Sequence, residues 1–181
     1  PNTTTSVTGI GMPVTNVGTV STPGIASTNL KTSMRRWTLT SAAVVNSVSD
    51  QRCATYVCWR GNAAGLGGWT YTNRLSLTTL QVTGMAFFGL YGAVVNLATT
   101  LLLSGVVNCV GIGFQRGTHT NWQLVHNDAT GAPTLTDLGA SFPINATDVI
   151  TLFIGAAPNG SSIGVRVVNE TSGAAFDATI A

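Results

Sequence analysis

The stretch 152–168 reads LFIGAAPNGSSIGVRVV and decides the fold class of this chain. Its two ends, 152–156 and 163–168, are short runs rich in β-branched, aromatic and other apolar residues. Between them lies 157–162, whose Pro-Asn-Gly sequence is a strong turn signal. A strand, a short turn and a second strand in direct succession predict an antiparallel hairpin.

The same stretch contains the pattern G-x-S-x-G at 160–164, which is typical of the nucleophile elbow of hydrolases. That elbow needs a strand before the serine and a helix after it, so that the hydroxyl is exposed on a strained turn. The residues that follow, 165–168, read VRVV and predict a strand instead. We therefore interpret the pattern as part of a hairpin turn and not as a catalytic serine.

Strand patterns of the same kind recur along most of the chain. The predicted strands besides the hairpin are 35–40, 52–60, 69–77, 85–91, 110–115, 121–127 and 174–180. The one plausible helical stretch is 93–104. Many short strands separated by Gly, Pro and Asn turns, without alternating helices, predict an all-β fold. We expect an antiparallel β-sandwich of jelly-roll-like type.

Residues 1–33 differ in composition from the rest. They are a mixture of Thr, Ser, Val and Gly with almost no large apolar group, and Pro13 and Pro23 interrupt them. Such a segment cannot offset its own ordering entropy alone. We predict an extended N-terminal attachment arm over 1–33, ordered against something else, and a β-sandwich domain over 34–181.

The chain is unusually poor in charge. Only 8% of its residues are charged, the first is Lys31, and none lies between Arg74 and Arg116. Ordinary domains carry about 25%. The most apolar stretch, 85–113, is interrupted by Gly, Asn, Thr and Ser, which argues against a membrane span. A hydrophobic content of 44% argues against disorder. The remaining explanation for the scarcity of charge is a surface covered by partner subunits, which predicts a homo-oligomer.

The basic residues give no sign of nucleic-acid binding. The formal net charge is +2, and the only local cluster is Lys31, Arg35 and Arg36. A short cluster of this kind is typical of a solvated segment or an anchor to a neighbouring subunit. We predict neither a nucleic-acid partner nor a membrane partner.

The three cysteines, Cys53, Cys58 and Cys109, form an odd set. Residues five apart in one strand point to opposite faces, so a bridge between Cys53 and Cys58 would need a break in the strand. Three buried free thiols are one interpretation. A cysteine on a subunit face that forms an intermolecular disulfide is the other, and the odd count favours it.

The only histidines are His119 and His126. Strand alternation would place His126 on one side with Trp122, Leu124 and Asp128. A metal site needs three or four converging ligands, and too few are in reach. We predict hydrogen-bonded structural histidines, with a receptor or glycan contact through Trp122, His126 and Asp128 as the alternative.

The remaining chemistry-bearing residues show no catalytic constellation. The six acidic residues have no local pairing that would predict a two-carboxylate glycosidase site. No phosphate-binding glycine loop is present in the sequence either. We predict no catalytic, cofactor or metal site, and a protein that is not an enzyme.

Five segments taken together resemble a domain of tailed-bacteriophage virion proteins, commonly found at the C-terminal end of tail-fibre-like or appendage proteins. The resemblance covers about 34–175. The segments are WRGNAAGLGGW at 59–69, CVGIGF at 109–114, NWQLVHND at 121–128, DLGASFP at 137–143 and AAPNGSS at 156–162.

This resemblance implies a β-sandwich that assembles around a symmetry axis, usually as a trimer, on the outside of a phage particle. We then expect a non-enzymatic virion structural protein whose arm docks on other virion proteins. The loops 116–120, 129–134 and 157–162 would face outward for host attachment, with a surface glycan as a candidate receptor. The alternatives are a head-fibre, neck or capsid-decorating protein that reinforces the particle, and a polysaccharide depolymerase.

Overall fold

The computed structural model describes residues 3–7, 13–44, 47–52, 58, 60–80, 82–92, 102–128 and 130–181. These residues form thirteen β-strands and a single turn of 3-10 helix. They divide into two compact units: the described residues up to Arg52 belong to the first unit, and those from Cys58 onward belong to the second.

The first unit contains five short strands in two antiparallel sheets. They are β1 (Thr3–Val7), β2 (Pro13–Val17), β3 (Thr19–Ser21), β4 (Thr38–Thr40) and β5 (Asp50–Arg52). The three-stranded sheet has the order β1-β2-β5, and β3 pairs with β4 in a two-stranded ribbon.

These pairings join residues from both sides of the predicted boundary at 33/34. Thr15 of β2 is in register with Arg52 of β5, and Val20 of β3 with Leu39 of β4. The described part of the predicted arm is therefore ordered by backbone pairing with later residues of the same chain. Its role in attachment stays a prediction. Of the predicted strand 52–60, residues 53–57 and 59 lie outside the described residues.

The second unit contains eight strands in two four-stranded antiparallel sheets. They are β6 (Trp69–Leu75), β7 (Met85–Tyr91), β8 (Cys109–Gln115), β9 (Gln123–Asn127), β10 (Thr134–Asp137), β11 (Ile150–Ala156), β12 (Ile163–Asn169) and β13 (Ala174–Ile180). Sheet 1 has the order β10-β9-β8-β7, and sheet 2 has the order β13-β12-β11-β6.

The two sheets pack face to face around one hydrophobic core. Sheet 2 contributes the alternating residues of β11, Ile150, Leu152 and Ile154, all almost fully buried. Sheet 1 contributes Ile112 of β8 and Leu124 of β9. In sheet 2, β12 and β13 alternate between more buried and more exposed residues, whereas β8 of sheet 1 is buried at six consecutive positions. The predicted all-β antiparallel sandwich is confirmed.

The hairpin predicted over 152–168 is confirmed as well. β11 and β12 pair with Leu152 opposite Val167, and 157–162 connects them. The connection folds back on itself, since the backbone N–H of Gly160 donates to the carbonyl of Ala157 over 2.9 Å. The serine of the G-x-S-x-G pattern thus lies in a turn that is followed by a strand.

The predicted helix 93–104 lies mostly outside the described residues, because 93–101 are not among them. At its end, Leu103–Gly105 form the 3-10 turn, and Leu103 is fully buried. Within the described part of the chain, no helix has both the length and the apolarity that a membrane span requires.

Candidate binding face

Of the residues predicted to face a receptor, Trp122 is placed in the core. Its side chain is only 2% exposed, and its ring meets the ring of Phe114 edge-on at a centroid distance of 4.9 Å. The predicted alternation along this strand holds, but the side that carries Trp122 and Leu124 is the side facing sheet 2. The expectation that Trp122 contacts a receptor is therefore wrong.

Asp128 is exposed at the end of β9, and His126 is half-buried two residues earlier. The Asp128 carboxylate accepts hydrogen bonds from the hydroxyl and the backbone N–H of Thr130, at 2.6 and 3.1 Å. These bonds, the hydroxyl bond foremost, lower the pKa of Asp128. Asp128 therefore shapes the β9–β10 loop, and contact of His126 and Asp128 with a receptor stays a prediction.

His119 matches the predicted structural histidine. Its Nδ1 accepts a hydrogen bond from the backbone N–H of Gln115 over 3.1 Å, which closes the turn between β8 and β9. Among the described residues, no three His, Cys, Asp or Glu side chains lie close enough together to hold a metal ion.

The two described cysteines, Cys58 and Cys109, are both free thiols. Cys109 is buried in β8, with its Sγ 3.4 Å from the carbonyl oxygen of Val106, and burial raises its pKa to about 11. An intermolecular disulfide through Cys109 is therefore ruled out in the folded chain by inaccessibility. Cys58 is exposed and keeps that role as a prediction. Cys53 lies outside the described residues.

The three loops predicted to face outward do not form one surface. Loop 116–120 precedes β9 and loop 129–134 follows it, so the two lie at opposite ends of sheet 1. Loop 157–162 belongs to sheet 2 and joins β11 to β12. A single receptor site built from all three loops does not fit this arrangement.

The most distinctive open surface of the second unit is instead the outer face of sheet 2, which points away from the core. A shallow concavity of about 640 Å³ lies there. We call it the outer trough and define it by the outward residues of four adjacent strands: Thr70, Thr72, Phe153, Gly155, Gly164, Arg166, Asp177 and Thr179.

Strand register arranges these residues in two rows across the sheet. In one row, Phe153 lies between Thr72 and Arg166, and Arg166 lies opposite Asp177. In the other row the central positions are glycines, with threonines at both ends: Thr70, Gly155, Gly164 and Thr179. The first row thus forms a wall of side chains, and the second row forms a floor of bare backbone.

The glycine floor has no local structural requirement at Gly164. A β-carbon built there would meet only the carbonyl oxygen of Gly155, at 3.8 Å, and the backbone is not in the left-handed region. Glycine inside a strand costs about 0.5–1 kcal/mol relative to alanine. Such a glycine commonly marks a place where a ligand or another backbone approaches closely.

The wall combines an aromatic ring with an ion pair. Phe153 is 39% exposed, which is unusual for a large apolar side chain in mid-strand. Beside it, Arg166 Nη1 donates to both carboxylate oxygens of Asp177, at 3.0 and 3.1 Å. The two side chains are 54% and 61% exposed. Exposed pairs of this kind contribute about 0–1 kcal/mol to stability. The pair therefore matters mainly as a set of hydrogen-bonding groups for a ligand.

The neighbouring row of the same face has its polar groups occupied. Glu170 Oε1 accepts from the hydroxyl of Thr151 at 2.6 Å and from Nη2 of Arg74 at 3.0 Å. Thr151 is buried beneath these longer side chains. The charged side chains of this row therefore bond to each other, whereas those of the outer trough line the concavity.

The trough offers an aromatic face, hydroxyls, guanidinium donors and a carboxylate acceptor on a floor that a ligand can approach closely. This set suits a flat ligand that is apolar on one side and rich in hydroxyls at its edge. Asp177 is the only carboxylate among the lining residues, whereas glycoside hydrolysis ordinarily uses two. The lining residues provide the contacts of a binding surface.

Sequence reasoning missed this surface although part of its signal was present. Alternation in the predicted hairpin puts Phe153 and Gly155 on one face of β11, and Gly164 and Arg166 on the same face of β12. Asp177 could be assigned to this surface only once the register of β13 against β12 was known. Compared with known proteins, the chain matches no family model, and searches of curated proteins and of solved structures find no significant match.

Proposed function

We propose that this protein is a non-enzymatic structural protein of a tailed-bacteriophage virion, of tail-fibre or appendage type. In this proposal it sits on the exterior of the particle and attaches it to the host by binding a surface glycan in the outer trough. Two things support it: the five segments that resemble a phage appendage domain, and the geometry of the trough.

The observation that carries the binding function is the exposed ring of Phe153 beside the glycine floor and the Arg166–Asp177 pair. A pyranose ring has an apolar face of C–H groups, which would pack on the Phe153 ring. Its hydroxyls would then meet the Arg166 guanidinium, the Asp177 carboxylate and the hydroxyls at the ends of the floor. Because no side chain fills the floor, the sugar can lie close to the backbone.

The first unit would hold the protein on the particle. Lys31, Arg35 and Arg36 lie in it, and Asp50, its one acidic residue, is bonded to Arg52. A second concavity of about 560 Å³ is lined there by Pro23, Ile25, Arg35 and Trp37 among others. Ile25 and Trp37 are 63% and 44% exposed. A basic, apolar surface of this kind fits an acidic partner surface on the virion.

The proposal includes a homotrimer, which the resemblance implies and which the scarcity of charge supports. The alternative, a capsid-decorating or neck protein that reinforces the particle, shares the docking surface of the first unit. Imaging of labelled particles separates the two, because attachment requires the second unit to project at the tail or an appendage. Label spread over the capsid surface would favour decoration.

Phe153→Ala tests the binding function. We expect at least a tenfold loss of affinity for the host glycan, since the stacking surface is removed, with a small fall of the unfolding midpoint because the residue is 39% exposed and alanine is a weaker strand former. Affinity is measured by titration with host-surface oligosaccharides, and adsorption of particles carrying the variant is measured in parallel.

The matched control is Val82→Ala. Val82 is an exposed apolar residue that precedes sheet 1 and is not part of the trough. Equal affinity of the wild type and Phe153→Ala would contradict the proposed site. Release of reducing sugar from host polysaccharide by the purified protein would contradict the non-enzymatic function.

A further inference from the structure

We infer that the outer trough selects neutral glycans over anionic ones, an inference that rests on the proposed glycan-binding function. Its basis is the charge arrangement of the outer face of sheet 2. The trough contains one cation and one anion, Arg166 and Asp177, and they are paired with each other. In the next row Arg74 is paired with Glu170. The face therefore presents balanced charge.

An anionic sugar would meet an obstacle at this site. Its carboxylate needs a cationic or N–H partner, and the Nη1 group of Arg166 is already bonded to both oxygens of Asp177. Arg166 is the only cation that lines the trough, and Asp177 already balances its charge, so a second carboxylate would add an uncompensated negative charge near that of Asp177 and be repelled. The Arg166–Asp177 pair thus disfavours an anionic sugar, which an unpaired arginine would attract.

Neutral hydroxyls match the same pair directly. A hydroxyl donates one hydrogen bond and accepts others, whereas an ionised carboxylate only accepts. The remaining N–H groups of Arg166 can donate to one hydroxyl, while Asp177 accepts from a neighbouring one. Adjacent donor and acceptor groups of this kind fit two neighbouring hydroxyls of a sugar ring that packs on Phe153.

The decisive experiment uses Asp177→Asn, which keeps the side-chain shape and removes the negative charge. Binding is measured against paired oligosaccharides that differ only by a carboxylate, such as a hexose and the corresponding hexuronic acid. We expect the wild type to bind the neutral sugar at least tenfold more tightly. In Asp177→Asn the preference should be lost or reversed, because Arg166 is released to pair with the ligand carboxylate.

Two further variants complete the test. Asp137→Asn makes the same charge change at an exposed site in β10 of the other sheet, and it should leave the preference unchanged. Arg166→Gln should weaken binding of both sugars. If the wild type prefers the acidic sugar, or Asp177→Asn keeps the wild-type preference, the inference is overturned while glycan binding stands. If the wild type binds neither sugar nor any host glycan, the proposed function fails and the inference falls with it.

Discussion

Single residues of this chain differ in reactivity chiefly through burial. Cys109 is covered by the sandwich, and burial raises the pKa of its thiol to about 11, so that at mildly alkaline pH about one thiol in a thousand is ionised. Burial also raises the pKa of Cys58, but its side chain is exposed. Accessibility therefore separates the two thiols more than acidity does.

We predict that alkylation of the native protein modifies Cys58 and spares Cys109 until the chain is unfolded. Peptide mapping by mass spectrometry, with and without denaturant, measures both sites in one sample. Cleavage after Tyr56 places Cys53 and Cys58 in separate peptides, so that the label on each is read independently. Equal labelling of Cys109 in the native and unfolded chain would contradict its burial.

Asn169 is a buried polar residue whose side chain forms hydrogen bonds to several segments of the chain. Its amide nitrogen donates to the carbonyl of Ser141 at 2.9 Å and to the carboxylate of Asp148 at 2.8 Å. Its amide oxygen accepts from the backbone N–H of Thr171 at 3.1 Å. One side chain therefore satisfies groups from two loops as well as its own turn.

Asn169→Ala should destabilise the fold by about 1–3 kcal/mol, because it removes the three hydrogen bonds of a buried amide. Urea denaturation gives the free energy of unfolding. Asn127→Ala, which removes a half-buried amide at the end of β9, is the comparison and should cost less. A loss below that of the comparison would contradict the network.

At the scale of the element, β12 contains a glycine that lowers the stability of the strand and leaves the outer face of sheet 2 open. Its inward residues, Val165 and Val167, are buried, while its outward positions include Gly164 on the trough floor. Gly155 on β11 is more confined, because a β-carbon there would lie 3.2 Å from the carbonyl oxygen of Trp69. Gly164 is thus the floor position at which a side chain can be added cleanly.

Gly164→Val should move stability and binding in opposite directions. The free energy of unfolding should rise by about 0.5–1 kcal/mol, since valine favours strands and loses less backbone entropy than glycine. Glycan affinity should fall at least tenfold, because the side chain fills the floor. Thermal unfolding and glycan titration are measured on the same preparation, and a fall in both or a rise in both would contradict the role of the floor.

The sequence predicts those elements whose partners are close along the chain. The β11–β12 hairpin is an example, because a strand pattern and a turn signal suffice for it. The pairing of β6 with β11 joins residues such as Tyr71 and Ile154, and no local signal specifies it. Alternation put Trp122 and Leu124 on one side of their strand correctly. It does not tell which side faces another sheet, and for this reason Trp122 was wrongly expected at a receptor.

At the scale of the whole molecule, charge is both scarce and unevenly divided. The first unit carries three cations beyond the Arg52–Asp50 pair, whereas the second unit has four arginines and five acidic residues. A chain with a formal net charge of +2 has little electrostatic repulsion to keep copies apart. Such a composition favours association into a defined oligomer.

We predict that the purified protein is a trimer in solution. Light scattering coupled to size exclusion, run over a wide range of protein concentrations, measures the mass. Added salt should loosen attachment of the first unit to an acidic partner without dissociating the trimer, because screening weakens exposed charge pairs most. A soluble monomer that stays stable on concentration would contradict the predicted oligomer.

The bare floor of the trough has a genetic consequence. Every glycine codon is one nucleotide away from codons for alanine, valine and a charged residue, so a single point mutation at Gly164 can place any of these in the trough. Because there is room for a side chain at Gly164, the fold should survive such a change, and the proposed glycan specificity should change with it. We expect mutants with altered host range, selected on hosts with modified surface sugars, to carry substitutions at this codon.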